Sequence, residues 1–405
     1  MASVNPQLQN IVVIGTGYVG LPAALLLARA GHNVIGVDID ENIVQAINDG
    51  ILHIQEDELQ AIMEEPAVRK NLKAQSTPCE ADAFLIAVPT PLDQRKKIAD
   101  LSMVIEATKM LIPFLREGNL VILESTVPPL TCREIITPLL ESSGLTIGQT
   151  VHLAHCPERI LPGDMFYEIV NNDRIIGAMD QKSREMAAEI YATFVEGELL
   201  LTDDVTAELV KLMENTYRDV NVALANEFAA VAHTLGIDAP EAIKLANRHR
   251  RVNILNPGIG VGGHCIPIDP WFIKEVDPDN SQLIFTARMV NDDMPSKIAA
   301  RIRKTLCDIP SPHIVAIGAA YKVNAEDTRE SPATEVVRLL RIDGHWVDHY
   351  DPLVEGMQFP STLVEACTDA DCLILLVEHD LVMKEFGVRL AEIEEAMRHP
   401  MILRF

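Results

Sequence analysis

The stretch Asn10-Ile11-Val12-Val13-Ile14-Gly15-Thr16-Gly17-Tyr18-Val19-Gly20 decides the fold of the first domain. A short apolar run of strand character ends in Gly15, and a helical pattern over 21–30 follows until Gly31 stops it. In such a turn the first glycine permits the tight bend, the second lets backbone approach a pyrophosphate, and the third lets helix pack on strand. The helix amino terminus then offers unpaired N–H groups and a positive dipole end to phosphates. Asp38 closes a second apolar strand over 33–37, eighteen residues past Gly20. A carboxylate there hydrogen-bonds a ribose 2′-OH and repels a 2′-phosphate, so the pattern predicts a dinucleotide site favouring NAD over NADP. Asp40 is the alternative, but alternation past the strand end favours Asp38.

Further apolar runs at 83–88 and 120–124 repeat the style of the first strand. Strands apolar throughout and joined by helices imply a parallel sheet covered on both faces. From about Thr202 the rhythm changes: Asp203 and Asp204 offer a helix start, and a helical pattern then runs unbroken over 205–235 to Gly236. A helix this long connects domains or packs against a second subunit. Alternation returns after the rigid Pro310-Ser311-Pro312, with strands at 313–319, 346–350 and 372–377. The expected fold is α/β, with two Rossmann-like doubly wound domains joined by a central helical domain. Its divisions are expected at 1–201, 202–309 and 310–405.

Composition narrows the function. The 405 residues carry 59 acidic against 34 basic side chains, a net charge of −25, which argues against nucleic-acid and anionic-membrane surfaces. No apolar run reaches the length of a membrane span, and the amino terminus lacks a secretory pattern. Seven scattered cysteines without a CxxC pair indicate neither a zinc site nor a disulfide framework, so no metal is expected and a reducing cytoplasm is the expected location.

Several segments carry potential chemistry. Cys265 lies in Gly260-Val261-Gly262-Gly263-His264-Cys265-Ile266-Pro267-Ile268-Asp269-Pro270, where glycines allow close approach and a histidine is adjacent, as suits a nucleophilic thiol. An inert core cysteine is the plain alternative. Lys211, Asn215 and Arg218 share one face of the long helix by their spacing of four and three, which fits a site or a solvated charged face equally. Arg248-His249-Arg250-Arg251 is the densest positive cluster in an acidic chain and suits an anion such as a diphosphate, or merely a helix end. Glu158 and Lys322, taken alone, read as surface-loop residues.

In order along the chain, these segments resemble the UDP-glucose/GDP-mannose dehydrogenase family. The resemblance rests on the glycine loop, Pro89-Thr90-Pro91, Glu124-Ser125-Thr126-Val127-Pro128, Pro157-Glu158, Glu214-Asn215, Gly262-Gly263-His264-Cys265, and Lys322 with Asp327, Arg329 and Ser331-Pro332. His264 before the cysteine, Ile268-Asp269-Pro270-Trp271 after it, Ala246-Asn247-Arg248-His249, Val252-Asn253-Ile254-Leu255 and Cys156-Pro157-Glu158-Arg159 are similar to the branch that oxidises UDP-N-acetylhexosamines. Two features depart from the family pattern: Tyr321-Lys322 replaces the usual Phe-Lys, and Leu403-Arg404-Phe405 reads as the end of a final strand, so that any contact made beyond it is expected to be missing.

The resemblance implies NAD in the first domain, a dimer formed by the middle one, and the UDP moiety on the last. Gly15, Gly17, Tyr18, Val19, Gly20, Asp38, Thr90, Thr126 and Arg329 are then expected at the cofactor. Arg159, Ile160, Lys211, Asn215, Arg218, His249, Arg251, Gly262, Tyr321 and Lys322 are expected at the nucleotide sugar, with Arg251 entering the partner subunit's site. Cys265, Lys211, Asn215, Asp269, Glu158 and Thr126 are the expected catalytic set. The activity implied is a four-electron oxidation of the C6 hydroxyl of UDP-N-acetyl-D-mannosamine by a homodimer. UDP-N-acetylglucosamine, UDP-N-acetylgalactosamine and UDP-glucose are alternative substrates, and a non-catalytic nucleotide-sugar binder is the alternative of another class.

Overall fold

The computed structural model describes residues 5–54, 57–159 and 165–405. They fall into two compact units, Met1–Glu214 with Glu275–Asp277, and Asn215–Lys274 with Pro278–Phe405.

The first unit is built on an eight-stranded sheet. Its strands are β1 (Asn10–Ile14), β2 (Asn33–Val37), β3 (Leu72–Gln75), β4 (Ala83–Ile86), then β7 (Leu120–Leu123), β8 (His152–His155), β9 (Arg174–Gly177) and β10 (Leu199–Thr202), with a separate hairpin of β5 (Leu92–Asp93) and β6 (Ile98–Ala99) between β4 and β7. The spatial order is β10-β9-β8-β7-β4-β1-β2-β3. Within β1, Ile11 and Val13 enter one apolar core while Val12 and Ile14 enter the other, the period-two consequence of a strand covered on both faces. The helix Gly20–Ala30 buries everything from Gly20 to Ala28 and ends at Gly31, whose φ of 109° only glycine adopts without strain. From β1 the chain proceeds outward in both directions, so β1 and β4 flank the switch point where sheets of this kind bind ligands beyond their carboxyl ends.

The sheet departs from the all-parallel expectation at one edge. β9 runs antiparallel to β8 through the pair His155 and Gly177, and β10 is parallel to β9. Among the described residues, the connection from β8 to β9 holds the short helix Met165–Asn171, whereas the helix Gln181–Tyr191 provides the crossover from β9 to β10.

A single helix, Asp204–Leu235, begins in the first unit and ends in the second. Asp203 caps it by accepting from the Thr206 N–H at 3.1 Å, and Gly236, with φ 70°, ends it. Within the second unit its Asp219 pairs with the fully buried Arg288, and Asn291 donates to Asp219 at 2.9 Å. The paired charges and hydrogen bonds bind the helix Gln282–Asp292 to it in a fixed register.

The second unit also holds a four-stranded parallel sheet of β11 (His313–Ile317), β12 (Trp346–Tyr350), β13 (Cys372–Leu375) and β14 (Met401–Arg404), ordered β12-β11-β13-β14. Ile314 and Ala316 pack on one side with Val336, Val337 and Leu340, and Val315 and Ile317 on the other with Val382 and Phe386. Among the described residues, no helix is long and apolar enough to cross a membrane.

Candidate functional site

In the first unit the glycine loop is required by space. A Cβ on Gly15, whose φ is 86°, would lie 2.8 Å from the Ala87 carbonyl oxygen, and one on Gly20 would lie 1.9 Å from that of Gly15. A Cβ on Gly17 would meet nothing within 4 Å, so the middle glycine faces open space. The residue before the helix Gly20–Ala30, Val19, provides no side-chain cap for its N–H groups. Asp38 accepts from the Thr16 N–H at 3.0 Å and the Thr16 hydroxyl at 2.9 Å, which fixes its carboxylate against the loop. Asp40 instead caps the helix Glu41–Asp49 through the Asn42 N–H. Asp38 Oδ1 accepts from the Asp40 N–H at 3.1 Å, so the two carboxylates stand on one turn.

The loops after β4 and β7 stand beside this one. The Ser125 hydroxyl donates to the Val88 carbonyl at 2.7 Å and joins them. Thr90 Oγ1 is buried without a hydrogen-bond partner among the described residues. An orphaned hydroxyl, the open space at Gly17 and the carboxylate of Asp38 fit a bound dinucleotide. Tyr18 is half exposed at the same loop, and Thr126 follows Ser125 directly.

Glu158 is not on the surface, as its sequence context suggested. It is buried and paired with Arg174 at 2.8 Å, and it also accepts from the Arg159 N–H at 2.6 Å. Arg174 stands over the Tyr191 ring, and Tyr191 donates to Glu124 at 2.6 Å. Burial pushes Glu124 up to about 7, opposed by the Arg174 charge and reinforced by that of Glu158. Arg159 holds Glu214 at 2.6 Å and the Asp173 carbonyl at 2.8 Å. Ile160 lies outside the described residues. Lys211 is buried, which removes the solvated-face reading at that position.

In the second unit Asn215 is fully buried; it donates its amide to Asp269, which is also buried, and accepts from Arg218. Asp269 opens the helix Asp269–Val276, and its N–H donates to the Cys265 carbonyl at 2.9 Å. The cysteine itself is exposed. Gly262 and Gly263 explain their own presence: a Cβ on Gly262 would lie 2.7 Å from the Glu330 carbonyl oxygen and 2.8 Å from Tyr321 Cβ, and one on Gly263 would lie 3.0 Å from the Tyr321 ring. The cysteine segment is thereby seated on the loop 321–332. His264 stands 3.8 Å from Asp327, which Arg329 grips through two nitrogens. Burial, aided by the Arg329 charge, pushes the His264 imidazole down. Against its own burial, Asp327 is held below the usual carboxylate range by its bonds to Arg329. Lys322 is exposed on the same loop.

His249 and Arg251 stand on an exposed turn after the helix Ala239–Ala246, where the His249 ring accepts from the Arg251 N–H at 3.3 Å. Three asparagines hold the segment leading to the cysteine, of which sequence reasoning passed over Asn221 and Asn226. Asn247 accepts from the Ile254 N–H at 2.8 Å, Asn221 from that of Leu255 at 3.0 Å, and Asn226 from that of Gly258 at 2.8 Å. Arg174 and Tyr191 were missed as well; a lone arginine opening the apolar strand β9 was the available signal.

Three family models match the chain: the UDP-glucose/GDP-mannose dehydrogenase family NAD binding domain over residues 9–195, its central domain over 205–293, and its UDP binding domain over 315–404. A UDP-N-acetyl-D-mannosamine dehydrogenase of Methanococcus maripaludis is 48% identical over 93% of this chain and 87% of its own. The structure of a UDP-D-ManNAc dehydrogenase from Pyrococcus horikoshii superposes with a TM-score of 0.92 at 40% identity, covering 98% of this chain and 94% of that one. A UDP-N-acetyl-mannosamine dehydrogenase from Staphylococcus aureus gives 0.88 at 39% identity, covering 97% and 94%.

Proposed function

The chain belongs to the UDP-glucose/GDP-mannose dehydrogenase family, and from that premise we propose that it oxidises the C6 hydroxyl of UDP-N-acetyl-D-mannosamine to the uronic acid, with NAD as oxidant. The relatives named above carry the choice of sugar. The observation that carries the chemistry is the cysteine turn: an exposed cysteine four residues before the first residue of a helix, Asp269, whose carboxylate is engaged by Asn215.

NAD supplies the hydride acceptor, twice per sugar. A base takes the hydroxyl proton as the first hydride leaves C6, giving the aldehyde. The Cys265 thiolate then adds to the aldehyde carbon, forming a C–S bond and a thiohemiacetal oxyanion. Loss of the second hydride leaves a thioester, and water cleaves its C–S bond to release carboxylate and thiol. Lys211 and Asn215 steady the oxygen charge in both stages, with Lys211 also moving protons and Asp269 orienting the Asn215 amide. Glu158, paired with Arg174, positions or activates the water. Gly15, Gly17, Tyr18, Val19, Gly20, Asp38, Thr90, Thr126 and Arg329 hold the dinucleotide. Arg159, Arg218, His249, Gly262, Tyr321 and Lys322 hold the nucleotide sugar. The same reading assigns residues 1–201 to the cofactor, 202–309 to the middle domain and 310–405 to the UDP moiety. A nucleophilic thiol that must stay reduced suits the cytoplasm.

The reading includes a homodimer. Tyr217, Leu224, Phe228, Val231 and Leu235 repeat at spacings of seven, four, three and four on the long helix, and each is 43–68% exposed. An apolar stripe of this length on one helix face supports association with a second copy. Arg251 would then reach the partner subunit's site.

A panel of UDP-sugars followed by NADH absorbance tests the function. UDP-N-acetyl-D-mannosamine should give the highest kcat/KM; a higher value for UDP-glucose or another UDP-hexosamine would overturn the choice of sugar.

A further inference from the structure

In the second unit, three loops leave the carboxyl ends of the neighbouring strands β12, β11 and β13. One side chain joins all of them. Asp351, the first residue after β12, is fully buried; one carboxylate oxygen accepts from the Ala319 N–H at 2.7 Å and the Ala320 N–H at 3.1 Å, and from His379 Nε2 at 3.0 Å. Its other oxygen accepts from the Leu353 N–H at 2.9 Å. His379 follows β13 and is equally buried. Its Nδ1 accepts from the Asn324 N–H at 2.9 Å, so the ring proton sits on Nε2 and points at Asp351.

The consequence lies in the spacing. Ala319 and Ala320 immediately precede Tyr321-Lys322, and Asn324 follows two residues later. The Asp351–His379 pair therefore grips this short segment at both ends. Asn324 adopts φ 58°, an uncommon conformation outside glycine, and its side chain exchanges two hydrogen bonds with Asp380, at 2.8 and 3.0 Å. A buried aspartate and histidine with this many bonds to backbone N–H groups do more than fill space. Leucine and phenylalanine would fill the volume without leaving two ionisable groups to be satisfied.

We propose that Asp351 and His379 are positioning residues for the nucleotide sugar, clamping residues 319–324 so that Tyr321 and Lys322 meet it in one fixed geometry. The proposal rests on the assignment of those two side chains to the UDP-sugar. It predicts that the clamp governs sugar affinity and leaves the hydride step alone.

His379→Phe keeps a ring and removes both hydrogen bonds. It should raise KM for UDP-N-acetyl-D-mannosamine, and the Kd of UDP by calorimetry, at least tenfold. KM for NAD and kcat at saturating sugar should change less than threefold. His379→Asn, whose carbonyl can take the place of Nδ1, should recover much of the affinity. Asn324→Ala loosens the same end of the clamp from the surface and should show the same signature even where His379→Phe fails to fold. Lys322→Ala serves as the reference. If it raises the sugar KM while folded His379→Phe and Asn324→Ala do not, the clamp is overturned. A fall in kcat with unchanged sugar KM in those two variants overturns it as well, because that is the mark of a merely structural role. If Lys322→Ala leaves UDP binding unchanged, the assignment of the loop itself is overturned.

Discussion

Asn215 donates its amide to the buried carboxylate of Asp269 and takes a guanidinium hydrogen bond from Arg218 on its carbonyl, so the orientation of the amide is settled from both sides. An amide held in this way can present its remaining hydrogen to one place only. That is what a group stabilising oxygen charge requires, because preorganised donors cost no rearrangement at the moment of reaction.

Asn215→Ala should therefore lower kcat by roughly 10²–10³-fold, the usual effect of losing one such donor, while sugar KM changes less than fivefold. Asn215→Asp, which sets a carboxylate against Asp269, should be no better. Steady-state kinetics of the two variants at saturating NAD check this, and a rise in KM at unchanged kcat would contradict it.

The glycine loop separates folding from binding within one motif. Gly20→Ala drives a Cβ to 1.9 Å from a backbone oxygen, so it should lower Tm sharply or prevent folding. Gly17→Ala meets open space and should leave Tm within a few degrees of wild type, yet raise KM for NAD at least tenfold by blocking approach to the pyrophosphate. Calorimetry and NAD kinetics on both variants distinguish the two roles.

Glu124 links stability to pH. Burial raises its folded pKa from 4.5 to about 7, so the native state holds a proton that the unfolded chain has released between those values. Its contribution is fully present below about pH 4.5, is lost as pH rises through about 7, and is constant above that. The loss is on the order of 3 kcal/mol at most. Glu208, also pushed up to about 7 by burial, adds a slope of the same sign, so the informative quantity is a difference. Glu124→Gln keeps an acceptor for Tyr191 and should show a shallower fall in unfolding free energy from pH 5 to 8 than wild type. Equal slopes in denaturant titrations would place the Glu124 charge elsewhere on the pH scale.

Legibility followed range. The glycine loop, the helix Asp204–Leu235 and its terminal Gly236 could be read because their determinants lie within a few residues of one another. β10 was missed: Leu200 and Leu201 are exposed at the sheet edge, so no buried face imposes a pattern. Glu158 was misplaced on the surface because its partner, Arg174, stands on a strand sixteen residues later. His379 and Asp351 escaped notice for the same reason, being 28 residues apart and joined only by the folding of three strands. Cys265 and Asp269 could be singled out together because a tight turn makes them neighbours in sequence and in space.

The dimer can be tested by complementation. Cys265→Ala and Arg251→Ala subunits should each be inactive alone. Mixed with exchange allowed, they should regain activity at one site of each heterodimer if Arg251 completes the partner subunit's site. Heterodimers verified by mass but without activity would place Arg251 in its own subunit's site or outside it.

The most direct test of the central claim counts NADH per sugar. Limiting UDP-N-acetyl-D-mannosamine is incubated with excess NAD until absorbance stops rising, and the product is identified by mass. The account predicts two NADH per sugar and the uronic acid for the wild type, and at most one NADH with no uronic acid for Cys265→Ala. One NADH per sugar from the wild type, or two from Cys265→Ala at the wild-type rate, would contradict it.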